Sequence, residues 1–177
     1  STLNILDIKH VYCKVNNQLK QRLFAIKYSL SEYILQLDDD LILDNDFIEK
    51  LWINFQNSSN PRKLAVGGYV MLPNNNHQSE RWQFIYNNNF FFKSFVFVLN
   101  NFKKIDNMSI LKSGRIVPII KQTGKIIDNC KWLNSTIMYH KSNSRFHKMI
   151  SFNKKAYYED VFFSHRMYQD GIRLILD

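Results

Sequence analysis

The chain has 177 residues, the length of one ordinary domain, so we treat residues 1–177 as a single unit. Because 45% of the residues are hydrophobic and 22% are charged, there is enough apolar material for a core, which excludes a chain disordered throughout. The formal net charge of +9 favours an anionic partner: a nucleic acid, an anionic membrane or a phosphorylated small molecule. Cys13 and Cys130 are far apart and form no CxxC pair, which argues against a disulfide framework and against a cysteine-based zinc site.

No secretory signal is recognisable, and no stretch reaches the roughly 20 apolar residues that a membrane-spanning helix needs. Together with the unpaired cysteines, this pattern predicts a cytoplasmic protein. The most apolar stretch covers residues 90–99 and is interrupted by Lys93 and Ser94. We therefore expect a buried or interfacial helix there.

The first part of the chain alternates between strand and helix patterns. Strand patterns cover residues 3–15, 33–37 and 64–72, and helix patterns cover residues 18–30 and 46–57. Asp46, with Glu49 three residues later, matches a capping box at the start of the second helix. This alternation predicts an α/β fold: a layered, mainly parallel sheet with helices on both faces.

The rest of the chain is less regular. Residues 80–104 are rich in aromatic side chains and look helical in pieces. Short strands are predicted over residues 116–120, 125–127, 132–139 and 172–176, and a polar loop over residues 142–152. A helix is predicted over residues 160–170, ended by Gly171 in the left-handed conformation.

Three adjacent carboxylates, Asp38, Asp39 and Asp40, follow the apolar strand over residues 33–37. They repel one another, and in open α/β sheets this end of a strand is where ligands bind. Mg²⁺ or Mn²⁺ would relieve the repulsion, because both prefer oxygen ligands. A solvated acidic turn before the next helix explains the same residues equally well.

A second acidic pair, Glu159 and Asp160, opens the last predicted helix. One carboxylate could cap the helix while the other faces a cleft as a general base. Capping alone also explains either residue.

Taken together, these segments resemble family 2 glycosyltransferases. The resemblance rests on a helix containing Arg22, the strand that ends in Asp38-Asp39-Asp40, and the Glu159-Asp160 helix followed by Gly171. Residues 132–140, which read WLNSTIMYH, are similar to the family's acceptor-side segment. The likeness covers about residues 18–72 and 125–177.

The resemblance implies a GT-A fold, a Rossmann-like sheet that binds a nucleotide-diphospho-sugar, and inverting, metal-dependent sugar transfer to an acceptor hydroxyl. Asp38, Asp39 and Asp40 would then form the donor-binding motif, with Asp38 and Asp40 as ligands of Mn²⁺ or Mg²⁺. Arg22 would lie near the donor pyrophosphate, and Asp160 would be the general base.

On the acceptor side the resemblance places Trp132 and Glu159. Trp132 is also a natural core residue. Asn134-Ser135-Thr136 stands where the family usually has small residues and glycines. The family's first βα unit, which reads the nucleobase, is not recognisable, so we expect a catalytic domain that is incomplete at both ends.

The middle segment and the basic residues suggest further partners. We expect residues 81–104 to cover the acceptor side and to contact an anionic membrane, since family members often use glycan or lipid-linked acceptors. His140 and His147 lie among basic residues; a metal pair is one interpretation and a solvated basic loop is the other.

Two alternatives to the transferase stay open. One is a basic, aromatic-rich nucleic-acid-binding module, which the net charge favours and the acidic cluster opposes because a phosphate backbone would be repelled. The other is an inactive fragment of the same fold. We expect the transferase, and no nucleic-acid partner.

Overall fold

The structure is a computed structural model, and it describes residues 10–15, 17–38, 40–68, 94, 108, 110, 126–149 and 158–177. Three α-helices are defined in this part of the chain: α1 (Gln18–Tyr28), α2 (Phe47–Gln56) and α3 (Glu159–Gln169). Two 3₁₀ segments span Pro61–Lys63 and Lys141–Met149. Five strands form the sheet: β1 (Tyr33–Gln36), β2 (Leu64–Gly67), β3 (Ile127–Asp128), β4 (Ile137–His140) and β5 (Arg173–Leu176).

The sheet has the strand order β1-β4-β2-β5-β3. Strand β2 pairs with β5 in parallel, and the other three pairs, β1 with β4, β2 with β4 and β3 with β5, are antiparallel. The α/β class is confirmed, but in the described residues the sheet is mixed and not mainly parallel. The reason is that β4 lies between β1 and β2 and runs antiparallel to both. Strands β1 and β2 therefore run in the same direction but do not pair with each other.

Each face of the sheet packs against a helix, because side chains alternate between the faces along every strand. On one face, Leu51 and Phe55 of α2 pack against Val66, Met138 and Ile175. On the other face, α3 packs against a larger core, whose buried members include Ala65, Leu133, Ile137, Tyr139, Phe163, Met167, Leu174 and Leu176. Helices on both faces, as predicted, therefore cover the central strands.

The helix ends follow local chemistry that the sequence predicts only in part. Asn17 caps α1, since its side chain accepts a hydrogen bond from the backbone N–H of Lys20 at 3.0 Å. The capping box predicted for α2 is wrong: Asp46 makes no cap hydrogen bond, and its carboxylate lies 2.9 Å from the Lys50 ammonium group. Gly171 has a φ of +78° just after α3, which confirms the predicted left-handed end of that helix.

Several predicted elements differ from the structure or lie outside it. Residues 10–15 are not in a strand, and residues 3–9 lie outside the described residues. The predicted loop over residues 142–152 is largely the 3₁₀ segment Lys141–Met149. The predicted strand over residues 132–139 is shorter and becomes β4. Apart from Ser94, the aromatic segment 80–104 lies outside the described residues, as does the predicted strand 116–120.

Gly68, directly after β2, provides a test of the packing between the sheet and α2. A Cβ atom at this position would overlap the ring of Phe47, the first residue of α2. We expect Gly68→Ala to lower the free energy of unfolding by about 1–3 kcal/mol, the usual cost of overpacking. Denaturant unfolding measures the change. The loss should shrink when the same substitution is made in a Phe47→Leu background, and an equal loss in both backgrounds would contradict the overlap.

Candidate functional site

The candidate site lies at the edge of the sheet where β1, β2 and β5 end. Because β4 runs the opposite way, the segment just before β4 reaches the same edge. Hydrogen bonds hold this segment in place: Gln36 Nε2 donates to Ser135 O at 3.3 Å, and Gly68 N donates to Thr136 O at 2.9 Å. Asn134 Nδ2 also donates to Gly68 O at 3.1 Å. The topology thus brings residues from distant parts of the chain to one edge.

Asp38 projects from this edge two residues after the end of β1. Its side chain is 37% exposed, so solvent and ligands can reach the carboxylate. The Ser135 hydroxyl donates a hydrogen bond to Oδ2, while Nη2 of Arg22 lies 3.5 Å from Oδ1. Asp38 is therefore oriented from two sides and keeps one open side.

Arg22, on α1, connects Asp38 to the start of α3. Its Nη1 is in direct contact with Oε2 of Glu159, a carboxylate that is only 2% exposed. Burial lowers the pKa of the Arg22 guanidinium, and the charges of Asp38 and Asp160 oppose that shift. An arginine side chain stays charged in proteins. Arg22 therefore places one largely buried positive charge beside the carboxylates of both acidic segments.

His147 lies behind Glu159 and is fully buried. Its Nδ1 is 2.8 Å from Oε1 of Glu159, and its Nε2 is 3.3 Å from the Tyr139 hydroxyl. The imidazole stacks on the Phe163 ring, with centroids 3.6 Å apart and planes 6° from parallel. Burial, together with the charge of Arg22, lowers the pKa of His147 to about 3. The Glu159 carboxylate beside the ring acts in the opposite direction, because a negative charge favours the protonated imidazole.

The solvated basic loop predicted around His140 and His147 is wrong, since both imidazoles are buried. Nδ1 of His140 accepts a hydrogen bond from the backbone N–H of Ser142 at 3.2 Å, a local turn interaction. Among the residues that the structure describes, no three His, Cys, Asp or Glu side chains come together as a metal site. The alternative of a histidine metal pair thus finds no support in this region.

Asp160 follows Glu159 but has a different environment. Its side chain is partly buried, and burial raises the pKa of its carboxyl group. Hydrogen bonds from backbone N–H groups and the charge of Arg22 act against burial and lower this pKa. The nearby charge of Asp38 raises the pKa further. Asp160 is therefore a partly buried carboxylate with a raised pKa that lies within the electrostatic influence of both Asp38 and Arg22.

The other predicted site residues differ in how far they are exposed. Asp40 is exposed, and Asp39 lies outside the described residues. Glu159 is almost completely buried between Arg22 and His147. Trp132 is half-buried and packs against the core on the α3 side of the sheet, as the core interpretation predicts. The structure therefore brings together Arg22, Asp38, Glu159 and Asp160.

The donor atoms at Asp38 and Asp40 fit a hard divalent cation. Both side chains offer carboxylate oxygens, and the 3.5 Å separation of Arg22 from Oδ1 of Asp38 is longer than a strong charge-assisted hydrogen bond. Mg²⁺ is often held by one or two carboxylates, with water and substrate phosphates as the other ligands. Asp38 and Asp40 therefore carry the type of donor atom that Mg²⁺ takes, although no group of three His, Cys, Asp or Glu side chains in the described residues could hold a metal ion.

The sequence alone did not identify Ser135 and His147 as parts of the site. Ser135 stands in a segment where the resemblance leads one to expect small residues, and its spacing from Asp38 carries no signal. His147 is surrounded in sequence by polar and basic residues, a pattern that is typical of an exposed loop. Only the pairing of β1 with β4, and the 3₁₀ segment after β4, bring these side chains to Asp38 and Glu159.

An open pocket lies at the opposite edge of the sheet from Asp38, before β1 and after β4. Its lining is basic and includes Lys141, Arg145 and Lys148. Glu32 also lines it, and Arg145 is paired with Asp170 at 2.7 Å. This pocket is separate from the cluster around Asp38.

Comparison with known proteins gives no family assignment: no family model, no curated protein and no solved structure matches this chain. None of the helices in the described ranges is long and apolar enough to cross a membrane.

Removal of the Arg22 side-chain charge tests the cluster as a structural unit. We expect Arg22→Met to lower the free energy of unfolding by roughly 3–5 kcal/mol, because it leaves the buried Glu159 carboxylate without its counter-charge. Arg145→Met is the matched control: this arginine pairs with Asp170 but is 58% exposed, so its loss should cost about 1 kcal/mol or less. Chemical denaturation of both variants makes the comparison, and equal costs would show that the Arg22 pair is no stronger than a surface pair.

Proposed function

We propose that the chain is an inverting, metal-dependent glycosyltransferase that moves a sugar from a nucleotide-diphospho-sugar to an acceptor hydroxyl. The observation that carries the proposal is the meeting of two acidic segments, at Asp38 and at Glu159-Asp160, around Arg22 at one edge of the sheet. These segments are more than a hundred residues apart in sequence, and capping or solvation of each alone does not require them to meet. A GT-A arrangement of the domain, in which donor and acceptor meet at this edge, is part of the same proposal.

On the donor side, Asp38 and Asp40 would hold Mn²⁺ or Mg²⁺, with Asp39 between them in the sequence as part of the donor-binding motif. When bound, the metal would stabilise the negative charge of the departing nucleoside diphosphate. Arg22 would add a fixed positive charge close to the diphosphate. Ser135 would keep the Asp38 carboxylate in one orientation through its hydrogen bond to Oδ2.

On the acceptor side, Asp160 is the proposed general base. The acceptor oxygen forms its bond to the anomeric carbon as the bond from that carbon to the diphosphate oxygen breaks, and Asp160 takes the hydroxyl proton. Asp160 suits this role better than Glu159, because Glu159 is 2% exposed and both of its oxygens face protein groups. Glu159 would then support the acceptor side of the site from the protein interior, where it contacts Arg22 and His147.

The acceptor is proposed to be a glycan or a lipid-linked glycan, handled in the cytoplasm at the inner face of a membrane. The net charge of +9 favours contact with anionic headgroups. A nucleic acid is the less favoured partner, because the carboxylates clustered at this edge would repel its phosphates. Polysaccharide or glycoconjugate synthesis is the process that such a reaction would serve.

Metal-linked donor binding is the first test. We expect nucleoside diphosphates to raise the melting temperature only when Mn²⁺ is present, and Asp40→Asn to remove that metal-dependent part. Asp44→Asn, which changes an exposed carboxylate four residues further on, should leave it intact. Equal stabilisation with and without Mn²⁺ would exclude the metal, and stabilisation by single-stranded DNA alone would favour the nucleic-acid alternative.

The general base is the second test. Asp160→Asn keeps the shape of the side chain but removes its basicity, so we expect sugar transfer to fall by about 10²–10⁴-fold with little change in donor affinity. Asp170→Asn, at the other end of α3, is the matched control and should keep full activity. Transfer that is unaffected by Asp160→Asn would remove this helix from the mechanism.

A further inference from the structure

We propose that the basic pocket before β1 and after β4 binds the phosphate group of a ligand, which is either a soluble phosphate compound or the headgroup of an anionic lipid. The pocket lies at the edge of the sheet opposite Asp38, so the inference does not depend on the proposed sugar transfer. Its volume is about 510 Å³. Ligand pockets in proteins commonly enclose roughly 300–1,000 Å³, so a small phosphorylated group has enough room.

Two lysines of the lining leave positive charge uncompensated. Nζ of Lys141 donates a hydrogen bond to the backbone carbonyl of Ser29, a partner without net charge. Lys148 is exposed, and neither ammonium group forms an ion pair with a carboxylate of the described residues. Glu32 is the one acidic side chain among the described residues of the lining, and it opposes an anion. The balance of charge in the pocket is therefore positive.

The donors of the pocket suit a phosphate better than a carboxylate. Arginine binds a carboxylate through two parallel hydrogen bonds, but Arg145 is already paired with Asp170 at 2.7 Å. A lysine acts as a point charge, and in that role it commonly binds phosphate. Three serines also line the pocket, and their hydroxyls can donate hydrogen bonds: Ser31, Ser142 and Ser144. A phosphate group has several oxygens that can accept from such donors at once.

A buried donor in the wall of the pocket has no partner. His140 lines the pocket and is 8% exposed. Its Nδ1 accepts a hydrogen bond from the backbone N–H of Ser142 at 3.2 Å, so the neutral ring carries its hydrogen on Nε2. Nε2 finds no hydrogen-bond partner among the described residues, although buried polar groups in proteins are nearly always hydrogen-bonded. An oxygen of a bound ligand would provide the acceptor.

The composition of the pocket disfavours a nucleic acid as the source of the phosphate. Proteins bind single-stranded nucleic acids along extended basic grooves, in which successive bases stack on aromatic rings. No Phe, Tyr or Trp is present among the described residues that line this pocket. The pocket therefore suits one phosphate group and not a nucleic-acid strand.

Leu30 distinguishes the two sources that remain. It lines the pocket and is 100% exposed. Beside a bound lipid headgroup, this side chain would enter the membrane interface, where apolar burial adds to the electrostatic attraction of anionic lipids. A soluble phosphate compound would gain nothing from it.

A titration with inorganic phosphate, without divalent metal, tests the pocket itself. We expect the backbone amide signals of Ser142, Ser144 and Lys148 to shift together, and that of Asp38 to stay in place. In Lys148→Gln the dissociation constant should rise about tenfold, because one ammonium charge is lost. In Glu32→Gln it should fall several-fold, because the repulsion between the carboxylate and the phosphate is removed.

Lys20→Gln is the matched control, since it removes the same charge from the start of α1 and should leave the dissociation constant unchanged. Lys20, Glu32 and Lys148 are all exposed, so we expect every variant to fold. Phosphate binding that is unaffected by Lys148→Gln, or shifts confined to the surroundings of Asp38, would overturn the inference. Single-stranded DNA that occupies the pocket far more tightly than phosphate would also overturn it.

Vesicles distinguish the two sources of the phosphate. If the ligand is a headgroup, the native protein should co-sediment with phosphatidylcholine vesicles that contain phosphatidic acid and not with phosphatidylcholine alone. Leu30→Ser should then weaken vesicle binding several-fold while it binds inorganic phosphate like the native chain. If the ligand is soluble, the vesicles should not bind and Leu30→Ser should change nothing. Both patterns support the pocket, and vesicle binding that persists unchanged in Lys148→Gln overturns its role in membrane contact.

The same measurements keep this inference apart from the proposed function. Neither titration uses a sugar donor or a metal, so a failure to bind phosphate leaves the proposed sugar transfer untouched. Sugar transfer that is unaffected by Asp160→Asn would, in turn, leave the phosphate pocket intact.

Discussion

The buried ion pair between Arg22 and Glu159 is the interaction on which the candidate site depends. It joins α1 to the first turn of α3 and places one cation beside carboxylates from both ends of the chain. A buried ion pair is costly to desolvate, and it is retained only where the geometry and further contacts compensate. Here the further contacts come from His147 behind Glu159 and from Asp38 in front of Arg22. The pair therefore lies between the two acidic segments, with Asp38 on one side and the start of α3 on the other.

Two adjacent carboxylates in the first turn of α3 have different environments, and this difference supports a division of roles. Glu159 points into a closed cluster and is surrounded by protein groups, whereas Asp160 is only partly buried and has a raised pKa. Both gain from the positive end of the helix dipole. In the proposed mechanism, the buried Glu159 would hold the first turn of α3 in place beside Asp160, which would favour a well-defined position for an acceptor hydroxyl.

Much of this arrangement follows from the sequence, because its local signals are strong. The apolar strand before Asp38 and the glycine after α3 were predicted at their observed places, as was the α/β class. The strand that becomes β4 is predicted too, but its reversed direction is not, since a short apolar strand carries no information about its direction or its neighbours. His147 was missed for a similar reason: its neighbours in sequence are polar, and its burial depends on Phe163 and Tyr139, which come from other elements.

Paramagnetic broadening of backbone amide signals during a titration with Mn²⁺ tests the central claim most directly. The proposed cation ligands, Asp38 and Asp40, follow the end of β1, at the edge of the sheet where Ser135 and the start of α3 also lie. We therefore predict that the amides of Asp38, Asp40, Ser135 and Asp160 broaden together at the lowest Mn²⁺ concentrations, while those of Lys141 and Lys148 at the opposite edge stay sharp. Early broadening confined to the turn after β1, with Asp160 unaffected, would contradict the account.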